Sequence, residues 1–477
     1  MDKVISKEEY LNGATDEFLY IVKTYLVPLI DMRGCEKLVK KASENKELVE
    51  IHEDSGKREF YFYPSICISP DKKTPFFVKV GTYSGESIKK RLSAILSELL
   101  KAAEYNTFSG KIKKQRDYGK NNDFHRLIYK EKAFQTAFEF GMCNWIVGPD
   151  NTPVFYQVLS KLQEWSAKTY EGKKVPFGVV INLEKDQGNI SANYIDFLDN
   201  DNSAVFTDGI FSGIEIDKNG GIISFITSYN STEKQKDSSL NAVDGATLFV
   251  PYQYTNIARY CYAKKVGIIV LISGEIIIVK DGAICFAKRG NRWVSYDWTI
   301  VNASLKDYFL QDEQEKIKEI YCSLLDVSFS HTGGCLAIVK DEENISKIIK
   351  ERLDLYIGGK AQSGISATSL EKMGVLKYLL HDKNQKIRGF FDIDQPLRKE
   401  IMSMDGAVAI SPNGHFFCCG TIVAVSGGSS GGGRTAATKK LAELGVGIKI
   451  SEDGYIEAYG QVKENEKVNI VPLFKIK

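Results

Sequence analysis

The sequence has no Cys-x-x-Cys pair among its nine cysteines, no long apolar run and almost no excess of charge of either sign. Each absence excludes something. An odd number of irregularly spaced cysteines argues against a disulfide framework or a zinc site and points to a reducing cytoplasm. The longest apolar runs, such as Val266–Ser273, fall far short of the ~20 residues a membrane helix needs. The charged start, Met1–Tyr10, carries no apolar signal core. A cytoplasmic protein without a membrane partner is expected. Lys+Arg number 63 and Asp+Glu 61, for a formal charge of +2. The basic excess that marks a nucleic-acid binder is missing, so nucleic acid is not expected as the main partner.

What the chain has is ordinary globular material. Hydrophobic residues are 43% and charged residues 26% of 477, enough for large cores and, at about 150 residues per domain, for some three domains. The expected class is mixed, α+β with α/β character. A first α+β module spans 1–120. It has a helical pattern at Glu17–Met32 kinked by Pro28, strands at Phe60–Ile68 and Pro75–Val80, and an amphipathic helix at Ile88–Tyr105. The basic stretch Lys111–Lys120 reads as a linker or exposed loop. A second, sensor-like α+β domain spans 125–303. It has helices at Phe134–Met142 and Pro153–Tyr170, a strand at Val175–Asn182, and a hairpin around Asn219-Gly220-Gly221. A meander follows, with turns at Ser273-Gly274 and Asp281-Gly282. Near its end, Lys288, Arg289, Arg292, Trp293 and Trp298 form a basic-aromatic cluster that reads as an exposed strand end or a base-stacking surface.

A third domain spans 304–463, followed by a tail at 464–477 that either adds a strand at Val468–Phe474 or packs on the surface. Helices are predicted at Glu313–Leu325, Ile345–Tyr356, Leu370–Leu380, Pro396–Met404 and Thr435–Leu444. Strands are predicted at Cys335–Val339, Ala407–Ile410, His415–Val425, Gly447–Ile450 and Tyr455–Tyr459. Alternating strands and helices imply a mixed central sheet flanked by helices.

The stretch Met404–Ala437 carries the chemistry. Asp405-Gly406-Ala407 enters a strand. Ser426 to Gly433, a glycine-rich loop ending in Gly431-Gly432-Gly433, then opens a helix at Arg434. Glycines let the backbone approach a ligand closely. A helix N-terminus offers unpaired N–H groups and a positive dipole. Arg434 brings a planar, always-charged donor fork suited to phosphate. Asp405 can hold Mg²⁺ or Mn²⁺, or orient a hydroxyl. The loop matches neither the Walker pattern nor a strict dinucleotide fingerprint. Asp-Gly-Ala recurs at Asp244–Ala246 and Asp281–Ala283, but only Asp405 is followed at close range by a hairpin and a glycine-rich helix start. His331, before Gly333-Gly334, reads either as a turn residue or as part of the site. Cys418-Cys419, adjacent on a strand, point to opposite faces and read as core. Lys449 and Glu457 read as polar residues of the closing hairpin.

These residues resemble the DisA-type nucleotide-binding domain of diadenylate cyclases. The resemblance rests on Asp405-Gly406-Ala407, the strand–turn–strand after it, Gly431-Gly432-Gly433-Arg434 and the hairpin Ile448–Tyr459. Phe329–Val339, with Gly333-Gly334, looks like that domain's early turn and core strand. The likeness covers about the last third of the chain. It implies condensation of two ATP into cyclic di-AMP with release of pyrophosphate, aided by Mg²⁺ or Mn²⁺, between two self-associated domains held face to face. The family role of the aspartate, tied to the metal and the ribose 3′-hydroxyl, falls on Asp405. Gly406 and Ala407 would line the adenosine pocket. The triphosphate would lie against Gly431, Gly432, Gly433, Arg434 and Thr435, with His331, Gly333 and Gly334 beside it. The family's second motif is Gly-Thr-Arg-His-Arg before Ala-Ala. Here Gly432-Gly433-Arg434-Thr435-Ala436-Ala437 keeps one arginine and lacks the His and second Arg. The alternative is a degenerate domain that senses ATP or a dinucleotide without turnover.

Overall fold

The computed structural model describes residues 122–477 apart from 187–188, 201–202, 204–205, 228–247, 310–312, 361–363, 384–385, 424, 426–431, 465–466 and 477. Of the first 121 residues it describes only 24–25, the backbone of five strands between 39 and 81, and parts of a helix within 91–102. The class is α+β, with mixed sheets flanked by helices. Among the described residues no helix is long and apolar enough to cross a membrane. The chain divides into two compact units, Met1–Asp244 with Asn256–Asp297, and Gly245–Thr255 with Trp298–Lys477.

In the first unit, strand Lys72–Gly81 pairs with Val39–Lys40, Lys57–Phe62 and Ser65–Ser69. The expected single strand Phe60–Ile68 is thus two, and the sequence has Pro64, which lacks an N–H, between them. Leu92, Ile95 and Leu99 of the predicted amphipathic helix are buried. The helix pattern at Glu17–Met32, the basic stretch Lys111–Lys120 and Asp244–Ala246 lie outside the described residues, save Thr24 and Tyr25.

Helices α1 (Asn122–Val147) and α2 (Thr152–Ala167) lead to an eight-stranded sheet, and a short helix α3 (Tyr194–Asp199) connects two of its strands. Its strands are β1 (Phe177–Asn182), β2 (Asn189–Asn193), β3 (Ser212–Asp217), β4 (Gly221–Thr227), β5 (Lys265–Val270), β6 (Ile276–Lys280), β7 (Ala283–Arg289) and β8 (Arg292–Ser295). Their spatial order is β8-β7-β6-β5-β1-β3-β4-β2. Only β1 and β3 run parallel. The Asp281-Gly282 turn has positive φ at both residues, 50° and 71°, the hairpin chemistry that Asp-Gly favours. Of the basic-aromatic cluster, Arg289 and Trp293 turn into the interior, Lys288 is half-buried, Arg292 is exposed and Trp298 belongs to the second unit. Trp293 and Arg289 are buried, Trp293 Nε1 donates to Glu139 Oε1 at 3.0 Å, Lys288 Nζ donates to Gln163 Oε1 at 2.7 Å, and Arg289 pairs with Glu275 at 3.6 Å. Lys288, Arg289 and Trp293 thus find their partners within the unit and do not form a base-stacking surface.

The second unit carries α4 (Trp298–Leu305), α5 (Gln314–Ser330), β9 (Gly334–Val339), α6 (Ala367–Leu380), α7 (Gln395–Met402), β10 (Ala407–Ile410), β11 (Phe416–Thr421), α8 (Gly432–Leu441), β12 (Gly445–Ile450), β13 (Ile456–Glu464) and β14 (Lys467–Ile476). The six strands lie in the order β11-β10-β9-β12-β13-β14, with β9 and β10 parallel and every other pair antiparallel. The tail thus supplies the edge strand. The unit's continuous part begins with α4, so a cut at Ser304 would fall inside a helix. The strands β9 and β10 are buried along their whole length, as expected of a parallel pair covered on both faces. Cys335, Ala337 and Val339 pack with Ala407, Ala409, Phe417 and Leu441 in one core cluster. Cys418 and Cys419 are both buried and unbridged, as read from the sequence.

The expected helix Ile345–Tyr356 is two short pieces, Ile345–Ile348 and Leu353–Ile357. The break at Ile349 and Arg352 is extended. Ile349 is fully buried, and Arg352 is forked onto the Asp354 carboxylate at 3.0 and 2.6 Å. Tertiary contacts override the helical spacing here.

Asp326, on the buried side of α5, accepts the Tyr252 N–H at 2.6 Å and the Gln395 amide at 2.7 Å. Burial lifts its carboxyl to about 6, and those hydrogen bonds only partly oppose the rise. The native state therefore favours the protonated acid. That stability is fully present below the unfolded value near 3.8 and is lost as pH rises through about 6. Urea unfolding between pH 4 and 7.5 should show a decline on the order of 2 kcal/mol over this window. Asp326→Asn should flatten it, and an unchanged slope in that variant would remove Asp326 as its source.

Candidate functional site

Strand pairing brings the sequence-predicted residues to one end of the six-stranded sheet. Leu336 of β9 faces Val408 of β10 in parallel register, so Gly333-Gly334 and Asp405-Gly406 enter the sheet side by side. Gly334 also faces Ile450, which puts the Ser451–Gly454 turn at the same end. Thr421 of β11 pairs with Ala407, closing the other flank.

Local backbone demands explain most of the glycines. Gly406 has φ +103°, and a Cβ there would run into the Gly420 carbonyl carbon. Gly334 lacks room because a Cβ would stand 2.6 Å from the Met402 carbonyl oxygen. Gly333, at φ +70°, lies under the Arg434 guanidinium; a Cβ there would come within 2.7 Å of Nη1. Gly432 and Gly433 are different. An added Cβ at either meets no atom of the described residues within 4 Å, and only Gly432 has a positive φ, +80°. Neither packing nor dihedral requires glycine at 433, in the first turn of α8, where it disfavours the helix by about 1 kcal/mol.

Arg434 projects from that turn. Its Nη1 donates to Glu452 Oε1 at 2.8 Å, a pair exposed on both sides and so worth about 0–1 kcal/mol. His331 ends α5 in the left-handed region, φ 56°, and its Nδ1 lies 2.9 Å from the Glu452 carbonyl oxygen. His331 is thus a turn residue placed at this end of the sheet, on the same Glu452 that meets Arg434. Thr332 Oγ1 lies 2.7 Å from Ser403 Oγ, tying the β9 entry to the residues just before Asp405. Thr435 is buried, and its hydroxyl receives a hydrogen bond from Lys449 Nζ at 3.0 Å. Thr438 Oγ1 donates to the Arg434 carbonyl at 2.8 Å, back-bonding along the helix. Ala407 is buried as the first residue of β10. Gly431 lies outside the described residues.

Asp405 is exposed, and its carboxylate makes no hydrogen bond or ion pair among the described residues. No group of three or more His, Cys, Asp or Glu capable of holding a metal occurs among the described residues. A lone carboxylate suits Mg²⁺, which keeps several waters and shares its shell with substrate phosphates. It does not suit an ion held by protein ligands alone.

Three residues that the motif reading did not single out complete this end. Glu452 meets both Arg434 and His331. Lys449, read as a polar hairpin residue, reaches Thr435. Lys372, from α6, donates to the Gly420 carbonyl beside the Asp405 backbone. Glu452 sits in an ordinary Glu-Asp-Gly turn, and Lys372 in a plain helix, so no local sequence signal marks them. Of the remaining residues, Glu457 accepts the Tyr459 hydroxyl at 3.1 Å. His415 stands on β11's approach, 3.8 Å from Asp354 and ring-edge against Phe417.

Comparison with known proteins finds no match to any family model, curated protein or solved structure.

The contrast between the glycines is measurable. Gly333→Ala should destabilise the fold by about 1–3 kcal/mol, through its positive φ and the displaced guanidinium. Gly433→Ala should leave stability unchanged or raise it by about 0.5–1 kcal/mol. Urea midpoints of the two variants check this, and equal losses in both would contradict the distinction.

Proposed function

We propose that the second unit binds ATP and condenses two ATP molecules into cyclic di-AMP, as a DisA-type diadenylate cyclase domain paired with a second copy of itself. The observation that carries this reading is the convergence of Asp405-Gly406, Gly333-Gly334 and Gly432-Gly433-Arg434, distant in sequence, at one end of one sheet. Gly433 adds to it: neither dihedral nor packing among the described residues requires a glycine there, which fits a backbone kept open to a ligand.

In this reading the triphosphate lies against the first turn of α8, where backbone N–H groups and the Arg434 guanidinium receive it. Gly406 and Ala407 line the adenosine. In each half-reaction a ribose 3′-oxygen forms a bond to the α-phosphorus of the other ATP, the bond to the β-phosphate oxygen breaks, and pyrophosphate leaves. Asp405 orients the 3′-hydroxyl or takes its proton, and with the phosphates holds a divalent ion. The ion supplies charge neutralisation of the phosphates when bound. The two nucleotides must be aligned across two domains, so one domain alone cannot complete the reaction.

A second reading has its own observation. The only arginine of the helix start is engaged by Glu452, and the His and second Arg of the related motif are replaced by Ala436 and its neighbours. A domain so reduced in cationic contacts would bind a nucleotide as a sensor without turnover.

Incubating the purified chain with ATP and Mn²⁺ or Mg²⁺, with mass spectrometric detection of cyclic di-AMP, separates the two. Asp405→Asn should abolish the product while leaving the melting temperature unchanged. Arg434→Ala should weaken ATP binding by about 1.5–3 kcal/mol, the scale of a charge-assisted hydrogen bond. ATP bound by calorimetry without product would favour the sensor, and ATP unbound would reject both readings.

A further inference from the structure

The two units share a strand plan. In the second, β9 lies parallel to β10, β10 turns into antiparallel β11, and on the other side β12, β13 and β14 follow as a meander. In the first, β1 lies parallel to β3, β3 turns into antiparallel β4, and β5, β6 and β7 follow on the other side as a meander. The order β4-β3-β1-β5-β6-β7 is the order β11-β10-β9-β12-β13-β14.

Register makes the likeness specific. Val179 faces both Ile214 and Ile268, as Leu336 faces both Val408 and Ile448. This sets Ile216 against Ile410, and the ladder to the next strand shifts register just before each of them. It also sets Ile278 and Val279 against Ala458 and Tyr459, and the ladders shift between the members of each pair. The turns agree too. Asp217-Lys218-Asn219-Gly220 and Ser411-Pro412-Asn413-Gly414 stand at the same place, with Gly φ 88° and 83°. Each of those glycines accepts a backbone N–H from the returning chain, Tyr194 in one unit and Phe390 in the other, at 2.9 and 2.7 Å, and both donors are fully buried aromatics. The turns Leu271–Glu275 and Ser451–Tyr455 carry the same two backbone hydrogen bonds, at 2.8 and 2.8 Å against 2.9 and 2.9 Å. A helix precedes the first strand in both, and packs on the equivalent meander strand. Shared bulges and turns with unlike side chains are not what two unrelated sheets produce.

At the equivalent end, the described counterparts of Gly334, Asp405-Gly406 and Glu452 carry different side chains. Phe177 stands where Gly334 does, Phe211-Ser212 where Asp405-Gly406 do, and Ile272 where Glu452 does. Phe211 and Ile272 are 55% and 71% exposed. The nearby Asp208-Gly209 looks like a second Asp-Gly site motif, yet it is offset from the equivalent position. Its carboxylate is spent on its own loop, accepting the N–H groups of Ile210, Phe211 and Ser212 and the Ser212 hydroxyl at 2.8–3.1 Å.

We infer that the two units are two copies of one fold, and that the first has exchanged the glycine-lined, charged end of the sheet for an apolar one, so that the chain carries one nucleotide site rather than two. The count of one rests on the nucleotide reading of the second unit; the duplication rests on strand order, register and turns alone.

A crystal structure of the full chain with the non-cleavable analogue adenosine 5′-(α,β-methylene)triphosphate tests both parts. The expected map superimposes β1, β3–β7 on β9–β14 with Val179 on Leu336 and Ile268 on Ile448. It shows the analogue only beside Gly333, Asp405 and Arg434, one per chain. A different strand order in the first unit overturns the duplication. An analogue bound beside Phe177, Phe211 and Ile272 overturns the loss of the first site. An analogue at neither end, with the strands superimposing, upholds the duplication and removes the nucleotide reading instead.

Discussion

Helix α8 lies directly on strand β12, because Gly447 puts no side chain beneath the Thr438 carbonyl oxygen. A Cβ at that position would overlap the carbonyl, and the helix would have to lift. The other contacts of the candidate site follow from this approach. Thr438 reaches back to the Arg434 carbonyl and lies 3.3 Å from Cys335 Sγ, so helix, strand β12 and strand β9 are fixed together. The first turn of the helix is thereby held over Gly333, and Arg434 meets the residues that precede β9. Gly445, which has no room for a Cβ against the Ile338 carbonyl, sets the helix-to-strand corner.

The sequence made much of this legible, for identifiable reasons. Elements with clean signals fell within a few residues of expectation: α7 opening with Pro396 in its first turn, the Ser411–Gly414 turn, the meander with its Asp281-Gly282 corner, and the Gly445 stop of the last helix. The glycine-rich helix start and Asp405 were readable because they depend on local backbone chemistry. Their convergence with Gly333-Gly334 was only implied by a family likeness, since the long β9–β10 crossover says nothing about which strand lies beside which. Glu452 and Lys372 were invisible for the same reason: each is an ordinary polar residue until the fold sets it beside a glycine-rich turn.

Where the sequence misled, long-range packing overrode a local pattern. Ile345, Ile348, Ile349 and Leu353 do share a helical spacing, yet Ile349 serves the core from an extended residue. Lys288, Arg289 and Trp293 look like a surface in a linear reading, but Glu139, Glu275 and Gln163 arrive from elsewhere to satisfy them. The duplicated plan escaped a linear reading entirely. Loops of unequal length slide the copies out of step, and what repeats is backbone geometry carried by different side chains.

The Arg434 guanidinium, resting over Gly333 and held by Glu452, has a further consequence. A free arginine side chain has about 2 kcal/mol of rotamer entropy to lose on being fixed. Here much of that freedom is already surrendered in the folded chain, in exchange for an exposed pairing that an incoming oxyanion can readily displace. The side chain is thus preorganised toward the helix start, so that under the proposed function the one cation in that turn would meet an anion largely in place. In the proposed nucleotide reading, a single arginine so arranged would recover part of the grip of a second one, without adding charge to a protein whose net charge is close to zero.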